Sequence, residues 1–130
     1  MRPAIQLRPF SKLILCIDDD EDVLECEKEF LESFGYTVLT ALSGKDGLKL
    51  AEKNSVDVVI LDYFMPEMNG HKVAIEVRRL KPQVRIILLS GAVDIPKQAL
   101  NWVDAFVPKH HLASQLLPAI AQLQEATSGT

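Results

Sequence analysis

Five polar residues of this chain stand directly behind short apolar runs. Asp18 and Asp19 follow LILCI, Asp62 follows VVIL, Ser90 follows VRIILL and Lys109 follows AFVP. If those runs are parallel strands of one sheet, all five residues lie along its C-terminal edge, where open α/β sheets do their chemistry. Carboxylates brought together there repel and raise one another's pKa unless a cation joins them. Mg²⁺ suits such a group, because it takes carboxylate, water and phosphate oxygens. A carboxylate beside it can attack phosphorus and become an aspartyl phosphate. A phosphoryl group in transfer needs positioning and positive charge above all, and Lys109 and Ser90 offer a cation and a hydroxyl donor. Taken singly, each piece is ordinary. DDDED is a common acidic helix start, Ser90-Gly91 common turn chemistry, and Lys109 a surface lysine. Their joint placement is what points to chemistry.

The elements that must position these residues alternate along the chain. Residues 13–17 form a first buried strand. A helix over 20–34 follows, with acids in its first turn, Gly35 as its stop, and Val23, Cys26, Phe30, Leu31 and Phe34 at helical spacing. A strand over 36–41 leads to a helix capped by Ser43 and running to about 53, with Leu48 and Ala51 inward. Residues 57–61 form the third strand, buried on both faces. A helix over about 70–80 ends before Pro82. Residues 84–89 form the fourth strand. A short helix over about 94–101 starts at an Asp94 cap, with Pro96 in its first turn. A fifth strand over 105–107 and a helix over 110–124 complete the pattern, with Leu112, Leu116, Ile120 and Leu123 on one face and Pro118 as a possible kink.

This alternation predicts an α/β fold: a doubly wound, five-stranded parallel sheet with helices on both faces and right-handed crossovers. Pro108 suits an edge strand, which fits the common order 2-1-3-4-5.

Composition limits the alternatives. The 130 residues make one ordinary domain, and 48% hydrophobic residues suffice for a core. A formal net charge of -4 argues against nucleic-acid or anionic-membrane binding. The cluster Arg78, Arg79, Lys81 and Arg85 reads as a solvated helix end. The two cysteines, Cys16 and Cys26, have no metal-ligand spacing and read as reduced apolar thiols. No apolar run is long enough to span a bilayer, and residues 1–11 lack the apolar run of a signal peptide, so a cytoplasmic location is expected. Residues 1–11 read as an N-terminal extension, 12–125 as the domain and 126–130 as a mobile tail. His110 and His111 read as a solvated helix start, and Trp102 as a cover over the core or, as the alternative, an exposed anchor for a partner.

The pieces LILCIDDDED, VVILDYFMPEMNG, IILLSG and AFVPK, in this order, resemble a response-regulator receiver domain of the CheY-like kind. The resemblance covers about residues 12–124 and implies a flavodoxin-like receiver fold. It implies that Asp62 accepts phosphate from a sensor histidine kinase or a phosphotransfer protein. Asp19 and Asp62 would ligate Mg²⁺ directly, Asp18 through water and Phe64 through its backbone carbonyl. Ser90 and Lys109 would contact the phosphoryl oxygens, and Phe106 would be the switch aromatic that turns inward after Ser90. A stand-alone receiver would act by docking an unknown downstream protein.

Three departures from the family pattern stand out. Pro108 precedes Lys109 and His110 follows it, where the family has proline after the lysine and a cis peptide, so Lys109 is open to a different aim. The span from Ser90 to Lys109 is shorter than usual, which leaves the fourth helix short or irregular. Phe64, two residues after Asp62, is bulky and apolar, and it would shield an acyl phosphate from water. Two competing readings remain at this level. One is a degenerate receiver acting as a phosphorylation-independent scaffold. The other is a haloacid-dehalogenase-type phosphohydrolase using Asp18 and Asp20, which leaves Asp62 unexplained.

Overall fold

In the computed structural model, residues 12–91 and 95–128 are described, with side chains to Leu123. The elements run β1 (Leu13–Ile17), α1 (Glu21–Glu32), β2 (Thr37–Ala41), α2 (Gly44–Lys53), β3 (Val58–Asp62), α3 (Gly70–Leu80), β4 (Arg85–Ser90), α4 (Lys97–Leu100), β5 (Ala105–Pro108), a 3₁₀ turn (Lys109–His111) and α5 (Leu112–Ser128). The five strands form one parallel sheet in the order β2-β1-β3-β4-β5. This is the doubly wound α/β fold expected from the alternation, in the strand order that the receiver resemblance implies, with the proline-ended β5 on an edge. The proposed 1–11 extension, the Asp94 cap and the last residues of the proposed tail lie outside the described residues. The helical backbone of α5 carries on to Ser128, past the end expected near residue 124.

Two apolar layers hold the sheet. On one face Leu15, Ile17, Val59, Leu61, Ile86 and Leu88 pack under α2 and α3. On the other, Ile14, Cys16, Ile60, Ile87 and Leu89 pack under α1 and α5 through Leu24, Leu31, Leu116 and Ile120. Alternate residues of one strand thus serve opposite faces, which is why the strands read as unbroken apolar runs. Side-chain caps fix where the helices begin. Asp20 accepts from the amides of Asp22 and Val23, at 2.9 and 3.3 Å. Ser43 accepts from Asp46 at 3.1 Å, and Asn69 from Lys72 at 3.0 Å.

Several expectations need correction. The buried stripe of α1 is Leu24, Glu27 and Leu31, while Cys26 is exposed and Phe34 is 58% exposed. The helix ends at Glu32, and Gly35 turns the chain at φ 95°, so Phe34 lies beyond the helical phase. A charged residue at the centre of the stripe hid its true direction. Arg78 is not a solvated helix end. Its guanidinium donates to the carbonyl of Val84 at 2.7 Å and to Asp104 Oδ2 at 2.9 Å. That same Asp104 oxygen accepts from the Ile86 amide at 2.8 Å, which ties α3, β4 and the approach to β5 together. This clamp closes the crossover where α4 is only Lys97–Leu100. Trp102 is 38% exposed, and its carbonyl lies 3.4 Å from Arg78 Nη2.

Gly70 begins α3 at a point of very close approach. A Cβ there would meet the Asp62 carbonyl oxygen at 2.6 Å and Tyr63 Cα at 2.8 Å, and both belong to backbone that cannot swing aside. The Gly70 amide also donates to the Tyr63 carbonyl at 2.7 Å. Gly70→Ala is expected to cost about 1–3 kcal/mol, the usual cost of overpacking, measured by urea unfolding.

Candidate functional site

The register of the sheet assembles the site. Ile17 pairs with Leu61, so Asp18 and Asp62, one step further along their strands, emerge side by side. Asp62 pairs with Leu89, and Ser90 with Pro108, which sets Ser90 and then Lys109 along the same edge. Asp18, Asp62 and Ser90 are buried, while Asp19 is exposed. One ligand oxygen from each of Asp18, Asp19 and Asp62 can be chosen so that all lie within 4.8 Å of one another. Such a spacing of hard oxygen donors fits a divalent cation of the Mg²⁺ class. A cavity of about 490 Å³ adjoins the cluster on the Asp19 side, between Ser43–Lys45 and Met65–Met68.

Lys109 bridges the two buried carboxylates. Its Nζ lies 3.0 Å from Asp18 Oδ2 and 3.5 Å from Asp62 Oδ2. The other Asp18 oxygen accepts from the Asp20 amide at 3.0 Å, which fixes that carboxylate against the start of α1. Lys109 therefore keeps its aim despite the Pro108-Lys109-His110 order, and no cis peptide occurs among the described residues. The 3₁₀ turn that starts at Lys109 redirects the chain from β5 into α5 without one.

The electrostatics follow from this packing. Burial, then the Asp18 charge, raises the Asp62 carboxyl from its ordinary 3.8 to about 6, and Lys109 opposes the rise. Burial alone would lower the Lys109 ammonium, but the Asp18 and Asp62 carboxylates outweigh it and the net shift is upward. The lysine thus stays charged, and the acids lack full compensation.

The remaining candidates occupy varied places. Asp20 belongs to the α1 cap and not to the carboxylate cluster, which removes the basis for the haloacid-dehalogenase reading. Phe64 is 56% exposed, its ring packed edge to face on Tyr63 with centroids 4.7 Å apart. Phe106 of β5 pairs with Leu88 of β4 and is 36% exposed. His110 and His111 are both exposed. The sequence reading missed Glu27, which is buried on α1 within the electrostatic reach of Asp18, Asp62 and Lys109. Its helical phase with Leu24 and Leu31 was the available signal.

Residues 14–121 match the response regulator receiver domain. This chain belongs to that family. The response regulator SaeR of Staphylococcus aureus is 35% identical over 78 residues, 60% of this receiver but only 34% of SaeR. The receiver thus spans about a third of that curated relative. Among solved structures, TrrA of Thermotoga maritima, in complex with Mg(2+)-BeF, is 34% identical with a TM-score of 0.82, covering 86% of this chain and 98% of that one. The signal receiver domain of an HD domain-containing protein from Pseudomonas fluorescens has a TM-score of 0.85 at 26% identity, covering 92% and 98%. Among the described residues of this receiver, no helix is long and apolar enough to cross a membrane.

Because folding raises the Asp62 value, the metal-free folded chain holds this proton more tightly than the unfolded chain does. Rising pH from about 4 through about 6 therefore removes stability at this group. Asp62→Asn is expected to stabilise the metal-free protein at neutral pH by on the order of 1–2 kcal/mol, with little gain near pH 4, as read by urea unfolding in EDTA.

Proposed function

We propose that this chain is a phosphoacceptor receiver of a two-component or phosphorelay system, with Asp62 as the acceptor. The observation that carries this reading is Lys109 bridging Asp18 and Asp62 beside Asp19. The donor is a phosphohistidine on a sensor histidine kinase or a phosphotransfer protein. An Asp62 carboxylate oxygen attacks phosphorus. The new oxygen–phosphorus bond forms as the nitrogen–phosphorus bond breaks, and the freed imidazole keeps the electron pair and takes up a proton. Asp62 must be ionised for this step, and a value of about 6 leaves most of it ionised at neutral pH.

Asp19 and Asp62 would hold Mg²⁺ directly, Asp18 through water and Phe64 through its carbonyl. When bound, the metal supplies positive charge to the phosphoryl oxygens. Lys109, held between Asp18 and Asp62, adds its own positive charge, and Ser90 donates its hydroxyl. As Ser90 moves toward the phosphate, Phe106 turns inward and the surface around α4 and β5 changes for a downstream protein. The chemistry is confined to the chain's own phosphorylation and dephosphorylation, in the cytoplasm.

Intact mass after treatment with acetyl phosphate and Mg²⁺ is expected to show a gain of one phosphate, absent in Asp62→Ala and with EDTA. No gain in the wild type would favour a phosphorylation-independent scaffold. Phe64, apolar and exposed beside the acceptor, is expected to slow hydrolysis of the acyl phosphate. Phe64→Asn should then shorten the phosphate half-life followed by mass, and an unchanged half-life removes the shielding role.

A further inference from the structure

Glu27 is an anomaly in the core. It lies on the stripe of α1 that faces the sheet, between Leu24 and Leu31, and is 1% exposed. Its Oε2 has no hydrogen-bond partner, although a buried carboxyl of this kind normally finds one. The Cys16 thiol of β1 hydrogen-bonds the carboxyl. The other charged groups that act on it are Asp18 beyond β1, Asp62 at the end of β3 and Lys109 beyond β5. Apolar side chains of α5 and β4 fill the rest of this layer. A buried carboxyl costs stability, so a merely structural reason would favour an apolar residue here.

We propose that Glu27 is a positioning residue of the acceptor site, a buried negative charge that holds Lys109 among the carboxylates, strengthens the cation site and opposes an incoming phosphoryl group. The proposal rests on the reading of Asp62 as acceptor. Asp18, Asp19, Asp62 and Lys109 together carry two net negative charges, which one divalent cation neutralises. An ionised Glu27 leaves a surplus negative charge behind them. Burial raises its carboxyl from 4.5 to about 7, so this charge is present above neutrality and is lost below it. The same burial keeps the Cys16 thiol protonated and able to donate.

Glu27→Gln keeps the shape and the acceptor for Cys16 and removes the charge. Two measurements at about pH 8.5 and about pH 6 test it. At the higher pH, Mg²⁺ is expected to bind the variant roughly tenfold less tightly than the wild type, as one unit charge acting through a partly buried path would give. At saturating Mg²⁺, acetyl phosphate is expected to phosphorylate the variant roughly tenfold faster. Both ratios should approach one at the lower pH. Glu27→Met, which also lacks the charge, should reproduce them if Gln perturbs the fold. Mg²⁺ affinities that do not differ between variant and wild type, or that differ equally at both pH values, overturn the proposal. Mg²⁺ ratios as expected, with no phosphate gained by any chain, sustain the role of Glu27 at the cation site and sink the acceptor reading instead.

Discussion

Lys109 reaching Asp18 at 3.0 Å and Asp62 at 3.5 Å is the contact on which the rest of the site depends. Two carboxylates leaving adjacent parallel strands at the same level face each other out of water, where their repulsion is strong. One ammonium held between them lets both stay beside each other, yet it leaves the cluster short of positive charge. Burial first, and then that imbalance, raises the Asp62 carboxyl, and the uncompensated acids create the demand that a divalent cation can meet. A parallel sheet is well suited to build such a site, since every strand ends at the same edge and each delivers one polar group there.

The backbone around the edge is specified just as closely. Asp18 is locked by the amide of Asp20, whose own carboxylate caps α1. Behind Asp62, the Gly70 amide closes onto Tyr63, and Asn69 caps the helix that follows. A side chain at Gly70 would collide with the Asp62 carbonyl, so the glycine of the VVILDYFMPEMNG segment serves the placement of the carboxylate as much as the start of α3. On the far side, the shortened α4 gives less packing than a full helix. The Arg78–Asp104 pair compensates by binding the β4 amide and the Val84 carbonyl in one partly buried network.

The layer under α1 joins the site to the core. Cys16 and Glu27 form a polar pair within an otherwise apolar layer that includes Leu24, Leu31, Leu116 and Ile120. With Glu27 fully buried and one of its oxygens unpaired, the core holds a carboxyl on which Asp18, Asp62 and Lys109 all act.

The sequence by itself determined the alternation of five strands and helices, because apolar runs, caps and glycine or proline stops are local signals. It also determined that Asp18, Asp19, Asp62, Ser90 and Lys109 would share one edge, since parallel strands share a direction. Tertiary structure alone decided what depends on packing between distant segments. Only the register and the 3₁₀ turn show that Lys109 reaches both carboxylates without the family's proline. Only the packing of α1 on β1 turns Glu27 from one acid among many in an acidic helix into a buried charge. Only the fold brings Arg78 and Asp104, far apart in sequence, into the clamp that replaces the missing helical turns. Local propensity writes the elements, whereas charge burial and long-range pairing arise where elements meet, and no single segment carries that information.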